Sequence, residues 1–236
     1  MKVVKLYHKY EKSHLFKAAD WISQTNNKRL ELFHEDHPNI ESSNLKVLAN
    51  YPPKSWAVNP DKRIRHTFPL KFVYVGSLSL QDTYIKEFCD WVNSQEGNAL
   101  LDIYAYNLHE DTVQYLSNLN SSYITFFRDG IEYDNIPAIL LGYDIGLILY
   151  KAKTDNYKFN ASNKLFEYLA LNLCVMYSDK MLGVKPYDSG LVQSFNFSDL
   201  PDLNDVTNRF NFELRKKEEY FAENEYDKLY LAMIKD

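Results

Sequence analysis

The chain has 236 residues, 45% hydrophobic and 15% aromatic, enough to bury a core in one large domain or one domain plus a piece of another, and too apolar for a disordered chain. Its formal net charge of −5 argues against a general nucleic-acid binder, which carries a basic surface. Two cysteines, Cys89 and Cys174, lie in apolar surroundings, which suits packing in a reducing compartment and not a disulfide scaffold.

The first ten residues hold three lysines and no long apolar stretch, so they do not read as a signal peptide, and no apolar run reaches the roughly 18 residues of a membrane span. A cytoplasmic location is expected. Five lysines in the first twenty residues, set against Glu11 and Asp20, leave open peripheral contact with anionic lipid at the inner face of a membrane. A solvated helix face is the simpler account.

A helical, partly basic segment opens the chain, followed by a short apolar strand over 45–48. Residues 51–71 contain Pro52, Pro53, Pro60 and Pro69 among charges and read as an extended linker. A regular alternation follows. Residues 72–75 are β-formers ending at Gly76. Tyr84, Ile85, Phe88, Trp91 and Val92 recur at helical spacing within 82–93. Strands are expected over 100–106, 123–127, 145–150 and 173–177, with a weaker one over 191–195. Helices are expected over 111–119, 137–141 (Pro137 suits a first turn) and 162–171, and helical, charge-rich sequence fills 202–236. The expected fold is α/β: a Rossmann-like parallel sheet with helices on both faces over 72–236. Residues 1–50, ahead of the linker, are expected to form a separate piece.

Ligands of such sheets sit outside the carboxyl ends of the strands. The longest of these loops leads into the helix over 162–171. Ser162 is placed to cap that helix with its hydroxyl, leaving the amides of Asn163, Lys164 and Leu165 at the positive end of the helix dipole. That arrangement suits a diphosphate, and Lys164 adds a full charge; an ordinary capped helix is the competing account. Glu167 lies off the apolar stripe of Leu165, Phe166, Leu169, Ala170 and Leu173. A capping box would need an acid at 165, which is Leu, so capping does not explain Glu167. Its carboxylate could accept two hydrogen bonds from a ribose diol, or simply pair with Lys164 on the surface. Gly76 and Ser77 follow the first strand of the domain, where a glycine lets backbone approach a ligand. Arg128, with Asp129 and Gly130, closes the third strand and could line a base pocket or make a plain turn. His34 and His37, flanked by Glu35 and Asp36, invite a metal reading. No further ligand completes a site, and none of His8, His14, His66 or His109 clusters with them. No nucleophile–base arrangement and no cofactor fingerprint is inferable.

Tyr143-Asp-Ile-Gly-Leu-Ile-Leu-Tyr150 followed by Ala161-Ser-Asn-Lys-Leu-Phe-Glu-Tyr-Leu-Ala170 resembles the donor-binding domain of GT-B-fold glycosyltransferases of the retaining group 1 type. Phe72-Val-Tyr-Val-Gly-Ser-Leu78 is similar to that family's opening strand, and residues 15–50 resemble the end of its acceptor-side domain, with a helix at Ala19-Asp-Trp-Ile22. The resemblance implies transfer of a sugar from a nucleotide diphosphate sugar to an acceptor hydroxyl, in polysaccharide or glycoconjugate synthesis, without a metal. It implies that Glu167 holds the ribose hydroxyls and that Ser162 and Asn163 hold the diphosphate. The sequence departs from the family pattern in four ways. Phe159 stands where many members carry a second glutamate. Ser77 stands in place of an arginine after Gly76. Leu171-Asn-Leu-Cys174 replaces the usual small-Gly-x-Pro after the helix. The chain also has room for only one Rossmann-like domain and a remnant, so an N-terminal domain or partner chain must complete the enzyme. The alternatives are a non-catalytic interaction module on the same fold, or half of a nucleotide-sugar epimerase.

Overall fold

The computed structural model describes residues 2–58, 68–106, 108–214 and 220–234. Helix α1 (Lys2–Tyr10) runs through a π-helical turn (Glu11–Leu15) into α2 (Phe16–Ala18). Strand β1 (Ile22–Gln24), helix α3 (Asn27–Asp36) and strand β2 (Leu45–Val47) follow, and the two strands pair in parallel with Ile22 opposite Leu45. The helix expected at Ala19-Asp-Trp-Ile22 is corrected. Ala19 is already extended, at φ −88° and ψ 126°, and β-branched Ile22 begins a strand. A three-residue strand carries too little alternation to be read locally; it forms because β2 offers it a partner. Asn26 caps α3 by accepting the Arg29 N–H at 2.9 Å.

The larger body holds β3 (Leu70–Ser77), α4 (Ile85–Ser94), β4 (Ala99–Tyr106), α5 (Glu110–Ser117), β5 (Ile124–Phe127), α6 (Ile136–Leu140) and β6 (Ile145–Ile148). It continues with α7 (Asp155–Lys158), α8 (Asn163–Ala170), β7 (Cys174–Ser178), β8 (Val192–Phe195), α9 (Leu203–Asn208) and α10 (Ala222–Met233). The six strands from β3 to β8 form one sheet in the order β5-β4-β3-β6-β7-β8, with every pairing parallel. Each expected strand of this body is present to within a few residues. The reason is visible in β6 and β7, whose residues are all buried: a strand covered on both faces must be apolar throughout. Cys89 and Cys174 are buried in this core and are not joined in a disulfide, and burial pushes the Cys89 thiol up to about 12.

Two further expectations change. Residues 54–56 of the proline-rich stretch form a 3-10 turn in place of extended chain. Trp56 is buried against the Tyr133 ring, and Tyr51 packs edge-on against Phe166 of α8. Residues 59–67, with Pro60 and His66, lie outside the described residues. The region after 202 is not one helical run: α9 is six residues long, and α10 begins only at Ala222. Helix α10 returns to the chain between the two sheets, where Ala222 N–H donates to the Pro52 carbonyl and the Glu223 carboxylate accepts the Lys54 N–H.

Candidate functional site

The strand order reverses between β3 and β6, and there the ladder is short. Strand β3 pairs with β4 over all eight residues from Leu70 to Ser77, but with β6 only at Phe72 and Val73. The last residues of β3 therefore part from β6 and open a crevice at the carboxyl edge, the position where open α/β sheets take ligands. Main-chain bonds hold its rim: Tyr84 N–H donates to the Leu149 carbonyl and Lys151 N–H to the Asp82 carbonyl, both at 2.8 Å.

Helix α8 is aimed into this crevice because Gly146 of β6 admits it closely. A methyl group built on Gly146 would lie 2.3 Å from the Tyr168 ring. Tyr168, fully buried, fills the space a side chain would take, and its hydroxyl faces the Leu147 carbonyl at 3.5 Å. Sequence reading left Tyr168 without a role. Its burial also explains the position of Glu167, because a helix sunk this deep covers more of its circumference than one apolar stripe.

Lys164 extends over the end of β3. Gly76, at φ +123°, has the Lys164 Cε and Nζ 2.8 Å from where its own Cβ would be. The backbone angle favours glycine there, and a side chain would also displace the flexible end of Lys164. The ammonium donates to the Tyr150 hydroxyl at 3.3 Å and lies 5.8 Å and 5.6 Å from the Tyr74 and Tyr150 ring centres. It makes no ion pair with Glu167 among the described residues, so the surface-pair account of Lys164 and Glu167 does not hold.

Glu167 is partly buried. Burial raises its carboxyl above the usual glutamate range, with the Lys164 charge acting the other way. Among the described residues no group hydrogen-bonds to it. Its charge reaches Tyr133, whose phenol is raised first by burial and then by Glu167. The expectation for Ser162 needs correction. Ser162 is the N-cap residue and is buried, but its hydroxyl makes no capping bond. Its carbonyl instead accepts the Leu165 N–H at 2.9 Å, so the Leu165 amide is engaged and not free. Asn163, the first helical residue, is exposed.

Ser77 is exposed at the end of β3, and its carbonyl accepts the Tyr74 hydroxyl at 2.6 Å. Arg128 is exposed after β5, separated from β3 by the whole of β4. The structure thus brings Gly76 and Lys164 together, with Ser162 and Asn163 beside Lys164 in the chain and Glu167 one turn further along α8. Tyr150 and Tyr74, which hold the lysine, were missed; rings in apolar strands read as core.

Phe159 lies in the connection between α7 and α8, where its carbonyl accepts the Asn26 side-chain amide at 2.8 Å. The smaller sheet's helix α3 is thereby tied to the loop that feeds the site. Among the described residues no three His, Cys, Asp or Glu side chains, those of His34 and His37 included, cluster to hold an ion. No described helix is long and apolar enough to cross a membrane.

No protein-family model and no curated protein sequence matches the chain. Solved structures do. The chain is similar to the apo form of the lipopolysaccharide outer core galactosyltransferase WaaB, at TM-score 0.57 and 14% identity, over 91% of this chain and 62% of that one. It is similar to Anabaena HepE in complex with UDP and glucose, at TM-score 0.65 and 9% identity, over 92% and 64%. It is also similar to S. aureus TarM in complex with fondaparinux, α-GlcNAc-glycerol and UDP, at TM-score 0.61 and 11% identity, over 96% and 46%. At such identities the likeness is one of fold. The fold is the α/β, GT-B-type fold of these glycosyltransferases, and the chain spans less than two thirds of each of them.

Proposed function

We propose that the chain is the donor-binding half of a glycosyltransferase that transfers a sugar from a nucleotide diphosphate sugar to an acceptor hydroxyl in glycoconjugate or polysaccharide synthesis. The observation that carries this reading is a partly buried carboxylate without a hydrogen-bond partner among the described residues, one turn into a helix whose lysine covers the carboxyl end of the first sheet strand. A buried carboxylate is costly unless something donates to it. A ribose diol is a suitable donor, while the amides of Asn163 and Lys164, with the Lys164 ammonium, cradle the diphosphate. Lys164 also meets the absence of an arginine at Ser77, since its charge occupies the crevice from the other side. In transfer these groups would stabilise the departing diphosphate as its charge grows, a role that needs no metal. The two buried thiols fit a reducing, cytoplasmic setting.

Half of such an enzyme needs its other half. The paired β1 and β2 make a parallel sheet of two strands, fewer than such sheets need for stability. Val3, Leu6, Tyr7 and Tyr10 of α1 and Tyr226, Tyr230 and Met233 of α10 are exposed. These uncovered surfaces suit a second domain or partner chain that carries the acceptor site, and the chain by itself is expected to turn over slowly or not at all. Phe159, standing at the place of a second carboxylate with its ring 5.3 Å from the Lys158 ammonium, favours a second reading, a non-catalytic module on this fold.

Isothermal titration of the chain with UDP, GDP and their sugars separates the two. Saturable binding supports the first, and heat-silent titrations with and without an added N-terminal domain support the second. Lys164→Ala removes a charge-assisted contact of about 1.5–3 kcal/mol and is expected to weaken UDP or GDP more than the corresponding nucleoside. An equal loss for both would show that Lys164 does not meet the phosphates.

Glu167 also has a stability signature. A carboxyl raised on folding favours the folded state at acid pH, and that contribution is lost as pH climbs through the raised value. At neutral pH the ionised group is a burden that Glu167→Gln removes. The ligand-free variant is expected to melt higher at neutral pH, on the order of 2–4 °C if about 1 kcal/mol is involved, with the gain vanishing at pH values below the usual glutamate range. A variant less stable at neutral pH would show that Glu167 has a structural partner.

A further inference from the structure

We propose that the cavity between the π-helical turn and the connection from α3 to β2 binds a phosphate-bearing ligand through Lys9, Lys12 and Lys17. This second anion site does not depend on the reading of the donor crevice. The open concavity has a volume of about 460 Å³, and residues 36–40, Asp36 and His37 among them, form its other wall. None of the three ammonium groups has an ion-pair or hydrogen-bond partner among the described residues. A chain of net charge −5 thus gathers on one concavity three positive charges without an ion-pair partner, against the lining carboxylate of Asp36 and the nearby one of Glu11. Such a concentration favours a compact ligand of two or more negative charges.

The backbone supplies an independent indication. In an unbroken α-helix Lys17 would sit about 80° around the axis from Lys9, because four-residue steps overshoot the turn of 3.6 residues. The interposed π turn, Glu11–Leu15, takes more residues per revolution and removes much of that drift. Lys9 and Lys17 are brought onto one wall with Lys12 beside them. π turns are rare and recur at functional positions. Ser13 keeps its hydroxyl on the Lys9 carbonyl at 2.7 Å, so the lysines carry the contact.

His37 provides a local reporter. Its ring packs against Phe16 and Phe33, with centroids 5.0 Å and 4.6 Å away. Burial and then Lys12 lower its pKa, while Asp36 and Glu11 act in the opposite sense. A bound anion would offset Lys12 and move the imidazole titration upward.

The test follows the His37 imidazole by NMR in the full chain during titration with inorganic phosphate and pyrophosphate. In parallel, co-sedimentation is measured with phosphatidylcholine vesicles with and without phosphatidic acid. The expected result is a saturable His37 shift, kept in Lys164→Ala and weakened about tenfold or more in the Lys12→Ala, Lys17→Ala double variant. The Lys12→Arg, Lys17→Arg pair should retain binding. A response to soluble phosphate identifies a free phosphoester as the ligand class. Sedimentation only with phosphatidic acid, lost in the double alanine variant, identifies a lipid headgroup. The proposal is overturned if neither probe binds up to about 10 mM, or if the double alanine variant responds like the parent.

Discussion

Glu167→Ala is expected to lower the affinity for a nucleoside diphosphate by about 2 kcal/mol, roughly thirtyfold, with little change for inorganic pyrophosphate. The asymmetry follows from the geometry. The carboxylate lies one turn beyond the helix end, so it can reach a pentose while the first amides and Lys164 meet phosphate. Two hydrogen bonds to a charged acceptor are lost, and part of that loss is returned because the unbound protein no longer buries a carboxylate that has no hydrogen-bond partner among the described residues. Glu167→Gln keeps the shape and one acceptor oxygen and should fall between the parent and Glu167→Ala. The pH dependence has a definite sign. Only the ionised carboxylate accepts both bonds, and its pKa is raised, so nucleotide affinity should fade on acidification before an ordinary glutamate would protonate. Calorimetry of UDP, GDP and pyrophosphate with the three proteins provides the measurement. Unchanged nucleotide affinity in Glu167→Ala would falsify the ribose assignment while leaving the diphosphate cradle to stand on Lys164.

Gly146→Ala should be the most damaging single methyl group in the sheet. The added carbon would meet the Tyr168 ring at 2.3–2.6 Å, and Tyr168 is fully buried, with no free direction to turn. Relief requires α8 to lift from β6, which strips contacts from Leu165, Phe166 and Leu169. The expected cost is about 2–4 kcal/mol, a fall in Tm on the order of 5–15 °C for a domain of this size. Helix α8 carries Lys164 and Glu167, so nucleotide affinity should fall along with stability. Tyr168→Leu clears the ring from the methyl group. The Gly146→Ala, Tyr168→Leu protein should therefore be more stable than the sum of the two single losses allows, a coupling that thermal melts of the four proteins measure. Strict additivity would place the damage elsewhere than in this contact.

The same two residues mark the boundary between what was legible and what was not. Gly146 was read within Asp-Ile-Gly-Leu as part of a resemblance, yet its physical reason is the Tyr168 ring 22 positions later. The strands of the large sheet were legible because burial on both faces forces unbroken apolar runs. Lys164 and Glu167 stood out because neither capping nor the apolar stripe accounts for the glutamate. Strand β1 was not legible, since three residues gain their hydrogen bonds only from a partner more than twenty positions away. Nor was the role of Ser162, whose hydroxyl is the usual capping group by local rules but lies buried without capping the helix. Local sequence thus determined the alternation of strands and helices, the loop that feeds α8 and the charges at its start. Tertiary structure alone decided that β3 and β6 part company beyond Val73, that Lys164 fills the gap over Gly76, and that β4 separates Arg128 from β3. Those outcomes depend on strand order and close packing between segments far apart in the chain, and no local periodicity encodes either.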